Sequence, residues 1–302
     1  MTLFSKTRSF ALSAVLVLIT TSVYAVERHN SETQSYRFDS QTGALRSAGD
    51  TLVLTAPPRE SEQVARATYE PIAKYLSTVI GRPVVYEYPR TFGLYRVLTV
   101  NGMYDLVFDG AHFTGYRIQQ RGFNVLVKFP TENRAFVTFV KADSTVKTIK
   151  ELKKQLVCAH PPPTIDTLFW ANQFENDPEQ QPLIVPMKGR PAIFKGLIHG
   201  DCIAAILPST ELRALDTNQT TRVIFEAPPM PDQAISAGPR VTPEEQKKIT
   251  DALIAADSEK STELLRKRFQ GGERFVRAAN NEYVPWADLL RMQWGFYDNQ
   301  AK

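Results

Sequence analysis

The chain predicts an α/β protein of two lobes, with mainly parallel sheets flanked by helices. Three observations lead there. Strand-like and helix-like stretches alternate from Thr51 onward, the pattern of βαβ units. The alternation restarts after Lys141, which gives two α/β lobes of comparable size rather than one uninterrupted sheet. Finally, 302 residues with 43% apolar and 23% charged side chains suit one large domain or two lobes, and exclude collagen-like, coiled-coil and fully disordered classes.

Thr51–Thr55 reads as a buried strand, ended by Pro57 and Pro58. Val64, Ala67, Ile72, Tyr75, Leu76 and Val79 recur at helical spacing, which predicts a helix over Glu60–Ile80 that Gly81 stops. Pro83–Tyr88 is a strand, Phe92–Val100 a short helix, Tyr104–Phe108 a strand and Ala111–Gln120 a helix. Phe123–Phe129 and Ala135–Val140 are further strands. In the second half, Ile149–Leu152 is a short helix, Gln155–Ala159 a strand and Thr164–Phe174 a helix. Leu183–Val185, Cys202–Leu207 and Arg222–Phe225 read as strands, with Pro191–His199 and Ser209–Leu215 as helices. The tail is helical from Pro243, a residue suited to a first turn.

Lys6 and Arg8, the apolar run Phe10–Ile19 and the small residues around Val23-Tyr24-Ala25 come in the order of an export signal. The run is shorter than the roughly 20 residues a membrane span needs. A buried N-terminal helix is the alternative. Cleavage after Ala25 places the protein, in a bacterium, in the periplasm, where disulfides persist. Residues 26–50 read as a polar leader. A net charge of +4 with no basic block argues against a nucleic-acid surface. The two cysteines, Cys158 and Cys202, make no CxxC and no zinc spacing, so no metal and no cofactor is expected.

Tyr69-Glu70-Pro71-Ile72-Ala73-Lys74-Tyr75-Leu76, then Gly81-Arg82-Pro83-Val84, resembles the P-L-x-x-Y-L and G-x-x-V opening of the phosphonate/phosphite (PhnD-like) substrate-binding proteins of ABC transporters. Gly102–Phe108, Lys147–Lys154, Gly189–Ile206 and Glu226–Pro231 resemble later motifs of that family in the same order, over about residues 50–296. The resemblance implies a periplasmic-binding-protein type II fold. It sets lobe 1 at 51–138 and 235–302 and lobe 2 at 139–234, with crossings near Phe136–Lys141 and Pro231–Ser236. It implies a ligand cleft between closing lobes and no enzyme activity. In the family's sheet order the strands of Cys158 and Cys202 are neighbours, which implies a disulfide; two buried thiols or a soft-ligand site are the alternatives.

In open α/β sheets ligands sit beyond the carboxyl ends of the strands. Several loops there lead into helices, whose N-terminal N–H groups favour anions. The candidates for ligand contact are hydroxyls of Tyr88, Tyr95, Thr164, Thr167, Ser209 and Thr210, guanidiniums of Arg59, Arg90 and Arg190, and Asp109 and His112. Each has a plainer alternative: helix packing for Tyr95, solvated loop charge for Arg59 and Arg90, a helix cap for Asp109. Three prolines, Pro161–Pro163, stand where the family has a Ser/Thr-rich stretch and remove three potential donors. GxSxG, HExxH, P-loop and GxGxxG motifs are absent. The expected ligand is a small anion or zwitterion, first a phosphorus oxyanion or organophosphonate, bound by a monomer. The expected partner is an ABC permease or, alternatively, the periplasmic sensor domain of a histidine kinase.

Overall fold

The structure is a computed structural model that describes residues 36–39, 44–47, 49–130, 135–174, 177, 179–270, 272–290 and 296. The expected export signal, residues 1–25, lies outside them. Within the expected leader, the described residues form β1 (Tyr36–Asp39) and β2 (Ala44–Ser47), which pair antiparallel with Phe38 opposite Leu45.

The alternation then follows the expected order. In the first part come β3 (Leu52–Thr55), α1 (Glu62–Ile80), β4 (Val84–Tyr86), α2 (Phe92–Val100), β5 (Leu106–Asp109), α3 (Ala111–Arg121) and β6 (Asn124–Lys128). The second part holds β7 (Phe136–Lys141), β8 (Leu156–Ala159), α4 (Ile165–Asn172), β9 (Leu183–Pro186), α5 (Arg190–His199), β10 (Ala204–Pro208), α6 (Ser209–Leu215) and β11 (Thr221–Glu226). The chain closes with β12 (Ala234–Ala237), α7 (Pro243–Ile254), α8 (Glu259–Gln270), β13 (Val276–Arg277), α9 (Asn280–Tyr283) and a 3₁₀ segment, Val284–Leu290. Local chemistry sets these bounds. Ser61 accepts from the Val64 N–H to start α1, Gly81 ends it at φ 68°, and Thr242 with Glu245 forms a capping box around Pro243.

Two mixed sheets result, ordered β13-β6-β12-β5-β3-β4 and β11-β7-β10-β8-β9. The βαβ units give their parallel cores, β4-β3-β5 and β10-β8-β9. The sequence reading missed why both sheets also contain antiparallel pairs. β7 and β12 are the first strands after the chain passes from one sheet to the other, and each runs against its neighbours. A strand entering from the crossing must run away from it, whereas the βαβ strands run toward it. Phe136–Lys141 is therefore not a crossing but the entry strand of the second sheet, and the first crossing precedes it. The second spans 227–233, overlapping the expected Pro231–Ser236. Backbone bonds tie the second crossing down at both ends: Ala227 N–H donates to Phe136 O of β7 (2.8 Å), and the N–H of Phe129, the residue after β6, donates to Gln233 O (3.2 Å).

Strands covered on both faces explain the unbroken apolar runs. Leu52, Leu54 and Phe108 pack under α1, α7 and α8, while Val53 and Val107 face α2 and α3 with Tyr95, Phe113 and Leu290. Leu168 of α4 is buried in that second cluster, so α4 joins the two sheets. Cys158 and Cys202 form a disulfide with Cα atoms 5.7 Å apart. Cys158 lies on β8, and Cys202 lies in the segment that enters the neighbouring parallel strand β10.

Candidate functional site

Because β6 and β11 lead into the crossings, the carboxyl ends of the parallel strands lie at the crossing end of each sheet. The loops there differ in how their helices begin. Side chains cap α1 (Ser61) and α2 (Thr91), but α3, α4, α5 and α6 have no side-chain cap. First-turn N–H groups have no acceptor inside a helix and draw negative charge.

At the first sheet, Arg59 leaves β3 and donates through Nη1 to Gln233 Oε1 (2.8 Å), a residue of the second crossing. Its guanidinium lies 5.7 Å from the Phe269 ring centre, with Arg268 against the same ring at 5.3 Å. Cation–π attraction and the amide together fix Arg59 against the second crossing. Arg268 also lies 2.9 Å from the Glu60 carboxylate, whose pKa burial raises. Gly110 is the N-cap of α3 and His112 lies in its first turn. His112 is 3% exposed, and its Nε2 is 2.9 Å from Pro163 O, which belongs to the loop after β8. Burial pushes the imidazole down to about 4. His112 thus links the two halves of the chain at the start of α3.

At the second sheet, Thr164 begins α4, and its hydroxyl lies 3.2 Å from that of Thr167. Thr167 Oγ1 donates to His160 O (2.6 Å). The prolines of Pro161–Pro163 precede the helix and leave its own first-turn N–H groups in place. The buried Asp166 already occupies that positive end and meets His160 Nδ1 at 3.1 Å. Arg190 opens α5 and is paired with Glu211 of α6. Ser209 N–H donates to Ala135 O (2.9 Å), and Thr210 is exposed.

Several sequence candidates have partners inside the protein instead. Tyr95 and Asp109 are 0% exposed. Tyr95 donates its phenol proton to Asp109, and Asp109 is ion-paired with Arg117 at 2.6 Å. Nor does Asp109 cap α3; it accepts instead from Thr114 Oγ1 (2.9 Å). Tyr88 donates to Glu60 O (2.7 Å), and Arg90 is exposed. The crossing end thus carries Arg59 on a loop, His112 in the first turn of α3 and Thr164 at the start of α4, while Thr167, Tyr95 and Asp109 have partners inside the protein. Sequence reading missed Gln233 and Arg117; the only signal was that Gln233 falls within the expected second crossing. Among the described residues no group of three His, Cys, Asp or Glu is placed to hold a metal, and no helix is long and apolar enough to cross a membrane.

No curated protein sequence matches the chain. Solved structures with the same fold include XAC2383 from Xanthomonas citri bound to ATP, at 13% identity and TM-score 0.58, covering 80% of this chain and 96% of that one. PhnD1 from Prochlorococcus marinus in complex with methylphosphonate is similar at 16% identity and TM-score 0.57, covering 80% and 97%. A binding-protein component of an ABC phosphonate transporter from Pseudomonas aeruginosa, PA3383, is similar at 13% identity and TM-score 0.54, covering 80% and 86%. Residues 54–283 match the family described as "ABC transporter, phosphonate, periplasmic substrate-binding protein", a family of binding proteins rather than enzymes, and the chain belongs to it.

Proposed function

We propose that this protein captures a small phosphorus oxyanion or organophosphonate between its two sheets and delivers it to an ABC permease. The observation that carries the reading is the cluster at the start of α3. Arg59, held by Gln233 and Phe269, stands with an uncapped helix N-terminus and the buried His112 at the junction of the two halves. A guanidinium fork and helix N–H groups suit tetrahedral oxyanions. The α4 end suits one less, because Asp166 is already there. The hydroxyls of Thr164 and Thr167 donate to Pro161 O and His160 O, so the charge that holds the ligand comes from the α3 side, and the crossings supply the hinge.

Isothermal calorimetry with methylphosphonate, phosphite and phosphate tests the reading. Binding of at least one is expected, weakened tenfold or more in Arg59→Met. A folded protein that binds none of the three, or an Arg59→Met variant with unchanged affinity, would overturn it.

A further inference from the structure

The polarity around Gly110 is fixed by its neighbours. Pro163 O can only accept, so His112 Nε2 carries the proton that bonds to it at 2.9 Å. A neutral imidazole then presents a lone pair on Nδ1. That nitrogen is buried and has no hydrogen-bond partner among the described residues. Arg59 can only donate, so the Gln233 oxygen that receives it is Oε1, and the amide N–H₂ faces away from Arg59. The two groups meet over Gly110. A Cβ placed there would lie 3.4 Å from His112 Nδ1 and 4.0 Å from Gln233 Nε2. Its φ of −81° is open to any residue, so backbone conformation does not require glycine. A Cβ would also press on His112 Cε1 at 3.3 Å, so a side chain at this position would crowd the space between an acceptor and a donor.

A group bound in that space accepts a hydrogen bond from Gln233 and gives one to His112. A hydroxyl does both. A fully ionised oxyanion has no proton for Nδ1, and an ammonium cannot accept from the amide. We infer that the ligand is taken as a hydroxyl-bearing monoanion, its P–OH seated over Gly110 between Gln233 and His112 while its ionised oxygens face Arg59. This rests on the oxyanion reading of the cleft and names the protonation state that cleft selects. The charged groups facing His112 are Asp109 at the end of β5, Arg59 after β3 and Asp166 on α4. Asp109 is already paired with Arg117, so its charge does not turn Nδ1 into a donor. Burial keeps the imidazole neutral above pH 5.

Calorimetric titrations of the full protein with methylphosphonate and methanesulfonate, at half-unit steps from pH 5.5 to 8.5, test this. The two have the same shape, and only the phosphonate keeps a proton. The expected result is an affinity for methylphosphonate that falls tenfold per pH unit above its second ionisation. Methanesulfonate should bind at least tenfold more weakly than the phosphonate monoanion. Titration of protein groups appears with both ligands, so their ratio isolates the ligand's proton. Methylphosphonate binding that is flat in pH, or equal affinity for the two, would overturn the inference while leaving the oxyanion cleft standing. Binding of neither would overturn both. Gln233→Glu, which replaces the amide donor with an acceptor, should weaken methylphosphonate binding tenfold with the wild-type melting curve retained. Unchanged affinity in that variant would also overturn the inference.

Discussion

The Nη1 and Nη2 atoms of Arg117 lie 2.7 and 2.6 Å from the two carboxylate oxygens of Asp109, with neither side chain more than 1% exposed. The pair spans the turn from β5 into α3. Tyr95 and Thr114 donate to the carboxylate, and Arg117 Nη2 lies 3.3 Å from Ser236 Oγ on β12. It thereby fixes the direction in which α3 leaves the sheet, and with it the positions of Gly110 and His112.

Removing one partner of this pair strands the other. Arg117→Met should therefore cost about 3–5 kcal/mol of stability. Tyr95→Phe removes one hydrogen bond to a charged group, about 1.5–3 kcal/mol. Urea unfolding followed by circular dichroism measures both. Since Tyr95 is interior, ligand affinity of the folded Tyr95→Phe protein should change less than twofold. A Tyr95→Phe variant with native stability and lost binding would put the phenol in the cleft instead.

The parts of this fold that were legible share one property: their burial is written in local spacing. Leu52-Val53-Leu54 is apolar on both faces because helices cover both, and Phe92–Val100 and Ser209–Leu215 have helix bounds that match the sequence reading. Asp109–Arg117 was not legible. Nothing in an eight-residue spacing says that a guanidinium turns back under its own helix to reach the strand before it. The loop residues at the strand ends were legible as positions, yet a hydroxyl or carboxylate at a strand end can face ligand or core. Tyr95 and Asp109 face the core. The β1–β2 pairing was missed because two four-residue strands set among polar residues give too short a signal.

Gly115 offers a sharp packing test. A Cβ on it would lie 2.4 Å from Tyr283 O and 3.0 Å from Ala287 N. Both are backbone atoms of the α9–3₁₀ segment, which cannot rotate aside. Gly115→Ala should cost at least the roughly 1–3 kcal/mol of an overpacked core, although alanine is the better helix former. Thermal melts of the variant should show a lower midpoint. A midpoint at or above wild type would mean that the segment does not lie against α3.

The Cys158–Cys202 bond closes a 44-residue separation. The chain-entropy relation gives about 4 kcal/mol of stabilisation for a loop of that size. Cys158→Ser/Cys202→Ser, or reduction of the wild type, should lower the urea midpoint by a corresponding amount. Thiol counting on denatured, unreduced protein should find no free thiol. Two free thiols would exclude the bond.

His112 makes a second, separable prediction about stability. Its folded pKa, lowered to about 4 by burial, lies below the 6.5 of a free imidazole. Between those values the unfolded chain binds a proton that the folded chain does not. Stability therefore falls as pH drops through that window and is unaffected by this group above it. The full difference corresponds to about 3 kcal/mol. His112→Gln keeps a donor for Pro163 O but does not titrate. Urea unfolding of both proteins at pH 7 and pH 4.5 should show the wild type losing about 2–3 kcal/mol more than the variant. Carboxylates protonate in both and cancel in the comparison. Equal losses would show that the imidazole is hydrated in the folded protein, and that the junction between α3 and the loop after β8 is open to water.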